Sequence, residues 1–401
     1  MTSEPVRLGV AGLGRAFVLM LPAFRADPRI KLVAAAAPRA ESRAAFEAEF
    51  GGAEFAARAY RDIEALCADP EVEAIYVATP HEMHAEHVLA AVRAGKHVLV
   101  DKPLAVRLED GARMVDAARS AGVHLIVGPS HSFDGPVALA SEIIESGEFG
   151  RLRMVQALNY TDFLYRPRRP EELRTESGGG VMFSQAVHQV DVVRLLAGGK
   201  ATRVMAMTGG WDAERPTEGA FSALMGFESG AFATMTYSGY AHFDSDIWMG
   251  DVGELGGDKP LSAYGAARRA LDRIPRENEA QLKNARTYGG GAEPQAATHH
   301  EHFGPVIALC DRADLRLTPD GVEIFGDSAR EIRTAPDRDR PRKGVLDALV
   351  AAVRGVREPT QTGEWGLASL EVCHAILAAA RSGQPIDLKR QIAATSMRGA
   401  A

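Results

Sequence analysis

The chain reads as an α/β protein: a doubly wound parallel sheet comes first, and an α+β domain with a large, mostly antiparallel open sheet follows. Three observations predict this. Strand-like and helix-like segments alternate over 6–127, the pattern of parallel strands joined by crossover helices. Gly12-Leu13-Gly14 stands at the first strand-to-helix turn. Beyond Gly128-Pro129 the strands lengthen, and hairpin signals such as Glu228-Ser229-Gly230 replace the crossovers.

Taken in order, 6–10 is a short apolar run that predicts a buried strand, and 16–25 carries helical periodicity. Strands are predicted at 30–36, 74–78, 97–100 and 123–127, and helices at 40–50, 82–94 and 108–121. The 79–103 segment, TPHEMHAEHVLAAVRAGKHVLVDKP, closes a β-α-β unit whose crossover is right-handed. These elements define a dinucleotide-binding domain over 1–128 and leave 129–401 as a substrate-binding and oligomerisation domain. In the latter, a helix at 136–146 precedes strands at 152–160, 203–208, 220–227 and 231–237. From about 250 to 298 the chain turns polar and glycine-rich, which predicts an insertion, with one helix over 263–282.

A chain of 401 residues suits two domains. The net charge of −7 argues against a nucleic-acid binder. No apolar run reaches the roughly 20 residues that a membrane span needs. The 3 cysteines, Cys67, Cys310 and Cys373, form no Cys-x-x-Cys pair, and no basic-then-apolar leader precedes the first strand. Both features predict a cytoplasmic protein acting on a small molecule. An open sheet face must be covered, so a homodimer or homotetramer is expected.

Two glycines between a strand and a helix let the backbone approach a pyrophosphate at the helix N-terminus. Gly12, Gly14, Arg15 and Ala16 are therefore expected to hold a cofactor, although Phe17 occupies the third glycine position. The second strand ends in Ala37-Pro38-Arg39 rather than in a ribose-binding acid. With no carboxylate to repel a 2′-phosphate, and with Arg39 and Arg43 nearby to pair with one, the reading favours NADP over NAD. Glu41 reaching a ribose hydroxyl is the opposing reading. Thr79, Pro80, His84, Asp101 and Lys102 follow strands at the carboxyl edge of the sheet, where ligands of such folds bind. His81 and His84 alone are too few ligands for a metal.

Ala11-Gly12-Leu13-Gly14, the 79–103 run and Gly178-Gly179-Gly180 followed by His188 and Asp191 together resemble the glucose–fructose oxidoreductase / inositol dehydrogenase (Gfo/Idh/MocA) family. The resemblance implies an N-terminal Rossmann domain, a C-terminal domain with a large open sheet, and oxidation of a secondary alcohol by a nicotinamide cofactor. Within the family, residues 159–170 (NYTDFLYRPRRP) and 183–191 (FSQAVHQVD) resemble the phthalate 4,5-cis-dihydrodiol dehydrogenase branch. Three positions depart from the family pattern. Asp101 replaces the glutamate before Lys-Pro, Ser184 replaces an aspartate four residues before the histidine, and Ala37 replaces the ribose-binding acid.

Lys102 is the first candidate catalytic residue, since an ammonium there would stabilise developing alkoxide charge. His188 is the second, a group able to take a hydroxyl proton near neutral pH. Ser184, one helical turn earlier, pairs with it as a proton relay, and Asp191 either orients it or fixes the helix. Tyr160, Tyr165, Arg166, Arg168, Arg169 and His302 are candidate substrate contacts, the guanidinium groups suiting a ring carboxylate. No metal is expected, because neighbouring side chains in His299-His300-Glu301-His302 do not face one way. The activity expected is oxidation of an aromatic cis-dihydrodiol to a catechol. The alternatives are a sugar or cyclitol dehydrogenase, a hydrolase or lyase that recycles bound nicotinamide, and a non-catalytic nicotinamide sensor.

Overall fold

The computed structural model describes residues 4–52, 56–290, 297–337 and 342–395. They form two compact units. The first takes the described residues within 1–129, 280–294 and 342–367, and the second takes those within 130–279, 295–341 and 368–401.

The first unit is built on a six-stranded parallel sheet. Its elements are β1 (Val6–Ala11), α1 (Arg15–Ala26), β2 (Ile30–Ala36), α2 (Ala40–Phe50), β3 (Arg58–Tyr60), α3 (Ile63–Ala68), β4 (Ala74–Val77), α4 (His84–Arg93), β5 (His97–Val100), α5 (Leu108–Ala121) and β6 (Leu125–Val127). The strand order is β3-β2-β1-β4-β5-β6. The order reverses between β1 and β4, the topological switch point at which such sheets bind ligands. The central strands are apolar without alternation because helices bury both of their faces. Where α5 ends, Gly122 adopts φ +66°, the left-handed cap that glycine favours.

β3 and α3 were not expected from the sequence. A three-residue strand and a six-residue helix are too short to show a period. The local signal is Asp62, whose side chain accepts from the backbone N–H of Ala65 at 3.0 Å, an N-cap.

The second unit begins with α6 (Gly135–Ser146), β7 (Leu152–Tyr160), α7 (Val187–Leu196), β8 (Ala201–Gly209), β9 (Ala220–Phe227) and β10 (Phe232–Ser238). After α8 (Ala266–Leu271) and α9 (Glu279–Ala285), the chain makes β11 (Val306–Cys310), β12 (Ala313–Thr318), β13 (Gly321–Gly326) and β14 (Arg330–Thr334). α10 (Lys343–Val353) belongs to the first unit, α11 (Gly363–Ser382) starts there and ends in the second, and β15 (Ile386–Asp387) closes the sheet. The nine-stranded sheet runs β14-β13-β12-β11-β7-β10-β9-β8-β15. Only β7 and β10 pair in parallel.

Alternation along the central strands gives this sheet two different faces. Val155, Ala157, Ala233, Met235 and Met225 are buried on the inner face, where α7 packs on β7 and β10, and α6 packs on β12 and β13. The outer face presents Met205, Leu224 and Phe232 to solvent, and Met207 is 78% exposed there.

The helix expected over 263–282 is broken. Gly265 sits at φ +61° before α8, and Pro275 intervenes before a 3₁₀ turn that leads into α9. Glycine and proline override the polar helical pattern. Strands β11–β14 fall outside the sequence-expected set. Their signal was present, in Leu315 and Leu317 alternating inward ahead of the Pro319-Asp320-Gly321 turn.

A buried ion pair ties this unit together. Glu279 receives both terminal nitrogens of Arg215 at 2.9 and 3.0 Å, and the backbone N–H of Arg168 at 3.1 Å. Both ionic side chains are less than a tenth exposed. Glu279→Ala strands a buried guanidinium, and the expected loss is about 3–5 kcal/mol. Calorimetry should record a lower melting temperature for Glu279→Ala, whereas an unchanged temperature would show that the pair contributes nothing net.

Candidate functional site

In the first unit the carboxyl edge of the sheet converges on Gly12. Its N–H donates to Ala36 O at 2.9 Å, and its φ is +96°. A Cβ there would stand 2.8 Å from the Ala78 carbonyl oxygen and 2.9 Å from the Thr79 methyl. Only glycine fits this turn. α1 starts at once, with no side-chain cap and no acid in its first turn. Its positive end is thus presented beside a cradle that a methyl group would fill, which fits the pyrophosphate of a dinucleotide. Phe17, at the third glycine position, is wholly buried and packs against Phe24, Phe46 and Tyr288. Arg15 opens the helix. Burial, with the Arg286 and Arg342 guanidinium groups close by, pushes its pKa down to about 10.

Around the second strand the side chains divide. Ala37 is buried, and Arg43 donates to the Ala37 and Pro38 carbonyls at 2.8 Å each. Through this one nitrogen, Nη1, Arg43 staples its own turn. Arg39 reaches Thr287 Oγ1 at 2.5 Å.

His84 acts as a buried clip. One ring nitrogen lies 3.0 Å from Thr79 O after β4, and the other lies 2.9 Å from Pro103 O after β5. It therefore fixes the two loops that carry Thr79-Pro80 and Asp101-Lys102, rather than offering a ring nitrogen to a cofactor. Burial lowers its pKa. Asp101 is partly exposed; desolvation raises its pKa, and it accepts from the Lys102 N–H at 2.8 Å. The Lys102–Pro103 peptide is cis.

The second unit holds a buried imidazole cluster. His188 sits on α7, whose residues are all buried. Its ring meets His131 edge-on, with centroids 4.7 Å apart and planes at 70°, and its Nδ1 is 3.5 Å from Ser130 Oγ. Phe303 contacts both rings, at 5.0 and 5.1 Å, and stacks on Tyr237. His131 Nδ1 donates to Asp134 Oδ2 at 2.6 Å. Burial alone would push His131 down, but Asp134, with Glu301 and Glu254 beyond it, outweighs burial and holds its pKa above the ordinary value. Ligand-capable atoms of His131, Asp134 and Glu301 lie within 4.8 Å of one another, and the His131–Asp134 bond joins two of them. Asp191 accepts from Ser132 Oγ at 2.5 Å and from Ser369 Oγ at 3.5 Å. It thus anchors α7 to the segment that carries His131.

The expected relay assumed α-helical pitch from Ser184 to His188. Residues Met182–Ala186 instead form a π-turn, and α7 begins at Val187, so Ser184 and His188 lie on one continuous helical run of changing pitch.

The expected substrate contacts separate clearly. Arg166 lies 3.6 Å from Glu254, and although desolvation lowers its pKa, that carboxylate and Tyr237 hold it up. Glu254 acts electrostatically on both Arg166 and His131, so Arg166 shares the charge environment of the imidazole cluster. Tyr160 packs edge-on to Phe243, and its N–H donates to Ser245 Oγ. Tyr165 lies under Arg268, 3.6 Å from guanidinium carbon to ring centre. Arg168 lies 3.6 Å over Phe163 and donates to its carbonyl, and Arg169 pairs with Glu171 and Glu172. Those two arginines hold their own loop. His302 is likewise structural: its Nε2 bonds Val252 O, its Nδ1 accepts from Gly304 N–H, and burial lowers its pKa to about 4.

Sequence reasoning missed His131, Asp134, Glu254 and Phe303. A signal existed for the first two, because only two residues, Gly128 and Pro129, separate Ser130-His131 from the end of β6, and strand ends of such sheets carry ligand contacts. Glu254 and Phe303 come from loops with no period to read.

A pH dependence follows from the His131–Asp134 pair. A histidine held above its unfolded pKa, about 6.5, adds stability that is fully present below that value and lost as pH rises through the folded pKa. The melting temperature of Asp134→Asn should therefore fall furthest below that of the parent between about pH 5 and 6.5, and the gap should narrow at higher pH. In the same variant, NMR titration should find His131 lowered. A gap that stays constant with pH would dismiss the ion pair.

Residues 6–129 match the family model described as "Oxidoreductase family, NAD-binding Rossmann fold", and residues 137–257 match "GFO/IDH/MocA C-terminal domain". The chain is 48% identical, over 93% of its length and 94% of the relative's, to the 1-carboxy-3-chloro-3,4-dihydroxycyclohexa-1,5-diene dehydrogenase of Comamonas testosteroni. A crystal structure from Bordetella bronchiseptica RB50 superposes with a TM-score of 0.89 at 38% identity, covering 96% of this chain and all of that one. The WlbA dehydrogenase of Bordetella pertussis, solved with NADH and UDP-GlcNAcA, shares the fold at a TM-score of 0.68 and 24% identity, over 97% of this chain and 99% of that one.

Proposed function

Since the chain belongs to the Gfo/Idh/MocA family of NAD(P)-dependent oxidoreductases, we propose that it oxidises a vicinal cis-dihydrodiol bearing a ring carboxylate to the corresponding catechol. The observation that carries this reading is the near full-length likeness to a dehydrogenase of a carboxylated dihydroxycyclohexadiene. The partly exposed Arg166 supports it, since a guanidinium is the group that binds a planar carboxylate with two parallel hydrogen bonds.

The nicotinamide supplies a hydride acceptor. The protein's own task is to bind the diol, orient one carbinol C–H and take the hydroxyl proton. Lys102 and His188 are the candidate proton acceptors, with Ser184 as the proposed relay, and Ser130 adds a second hydroxyl beside His188. His131, held by Asp134, sets the electrostatics against the His188 ring. The hydroxydienone left by hydride and proton loss enolises to the aromatic catechol, which draws the reaction forward. For the cofactor we favour NADP, because Ala37 leaves no carboxylate to repel a 2′-phosphate and Arg39 lies beside it.

We assign the outer face of the nine-stranded sheet to self-association. Met205 pairs with Leu224 across β8 and β9, and both are half exposed. A sheet face of this composition is normally covered. No helix among the described residues is long and apolar enough to cross a membrane. The free cysteines suit a reducing cytoplasm.

Purified protein with cis-4,5-dihydroxy-4,5-dihydrophthalate or its monocarboxylate analogue should raise absorbance at 340 nm, with NAD⁺ and NADP⁺ tested in parallel. Lys102→Ala and His188→Asn should each lower kcat by roughly 10²–10⁴-fold. Arg166→Ala should raise KM for the carboxylated diol by roughly tenfold or more, with a smaller effect on kcat. Turnover of inositol or a sugar instead would replace the diol reading with the cyclitol one. Bound cofactor without net reduction would favour the recycling hydrolase or lyase, and binding without any turnover would favour the sensor. Leu224→Glu should convert the oligomer to a monomer in light scattering, and an unchanged mass would remove the sheet face from the assembly.

A further inference from the structure

The segment after α9 lies against the glycine turn of the first unit, and no motif of the parallel sheet accounts for it. The Tyr288 N–H donates to Leu13 O, between the two glycines, at 3.2 Å. The Tyr288 ring meets Phe17 edge-on at 5.2 Å, and its hydroxyl donates to Glu49 Oε2 at 2.6 Å. Ser42 Oγ donates to Tyr288 O at 3.2 Å. One residue earlier, Thr287 Oγ1 accepts from Arg39, three residues after β2 and beside the position where an adenosine ribose is read in such sheets.

We propose that residues 283–290 form a cofactor-binding strap, in which Arg286 joins Arg15 on the pyrophosphate while Thr287 and Arg39 bracket the adenosine ribose. The ligand class is an adenine dinucleotide, and its ADP half suffices for recognition. The inference rests on the dinucleotide-binding reading of the first unit and not on the identity of the diol.

Tyr288 is the anchor. Its main-chain bond to Leu13 and its ring on Phe17 fix the strap to the loop that must receive the phosphates. That explains why a bulky aromatic stands at the third glycine position: Phe17 is the floor on which the strap sits. The anchor carries Arg286 within electrostatic reach of Arg15 at the start of α1. The mutual repulsion of these guanidinium groups is part of why Arg15 is more acidic than an ordinary arginine. Cations brought together beside a helix N-terminus are relieved by a multivalent anion. The polar insertion thus returns to the first unit as part of its cofactor site.

Calorimetric titration of the full chain with ADP, NAD⁺ and adenosine tests this directly. Arg286→Ala should weaken ADP and NAD⁺ by roughly tenfold or more, leave adenosine unchanged, and flatten the salt dependence of ADP binding. Arg286→Gln serves if the alanine variant does not fold. Unchanged ADP affinity would overturn the proposal, and so would a parallel loss for adenosine, since that reports a distorted turn rather than a lost phosphate contact. ADP binding needs no diol, so failure of the diol assay leaves this result standing, and the reverse also holds.

Discussion

The close approach of Gly12 to the Ala78 carbonyl is the constraint on which the nucleotide-binding unit depends. Gly12 lies at the end of β1, bonds the end of β2 through Ala36 and presses against the residue that follows β4. Three strands are thereby brought to one level, and α1 starts where its N-terminus is open. A methyl group at this point would push the strand ends apart by the tenths of an ångström that backbone atoms cannot yield. His84 repeats the device one strand further on by bonding the carbonyls that follow β4 and β5. One side chain too few and one imidazole in place set the edge that carries Lys102.

The second unit solves a different problem, because its candidate chemistry is buried among charges. Isolated, each would be costly in so dry a setting, and the pairing is correspondingly dense. Asp134 holds His131, Glu254 faces Arg166, Lys259 bonds Asp244 and Asp246, and Arg215 closes on Glu279. Two of these adjoin the proposed site, since His131 touches the His188 ring and Glu254 acts on both His131 and Arg166. The other two tie loops together.

Several arginines in 166–169 looked equivalent in sequence and are not. Arg168 and Arg169 stabilise the turn that presents Arg166. Similarly, Arg39 and Arg43 sit four residues apart, yet Arg43 bonds its own turn while Arg39 meets Thr287. A guanidinium has five donors, and which carbonyl or carboxylate claims them is a property of distant chain segments.

The sequence by itself determined the alternating parallel sheet, the glycine turn, the Asp101-Lys102-Pro103 edge and His188 after its glycine run, because each is a local pattern of period, turn chemistry or spacing. It also carried a legible hairpin around Pro319-Asp320-Gly321. Only the tertiary structure decided that His131 and Asp134 join His188, that Glu254 faces Arg166, that His302 is structural, and that Tyr288 returns to the glycine turn 275 residues after Leu13. Such contacts close long loops between residues with no shared period. Burial and hydrogen-bond satisfaction over the whole chain select them, and neither can be read from neighbours in sequence.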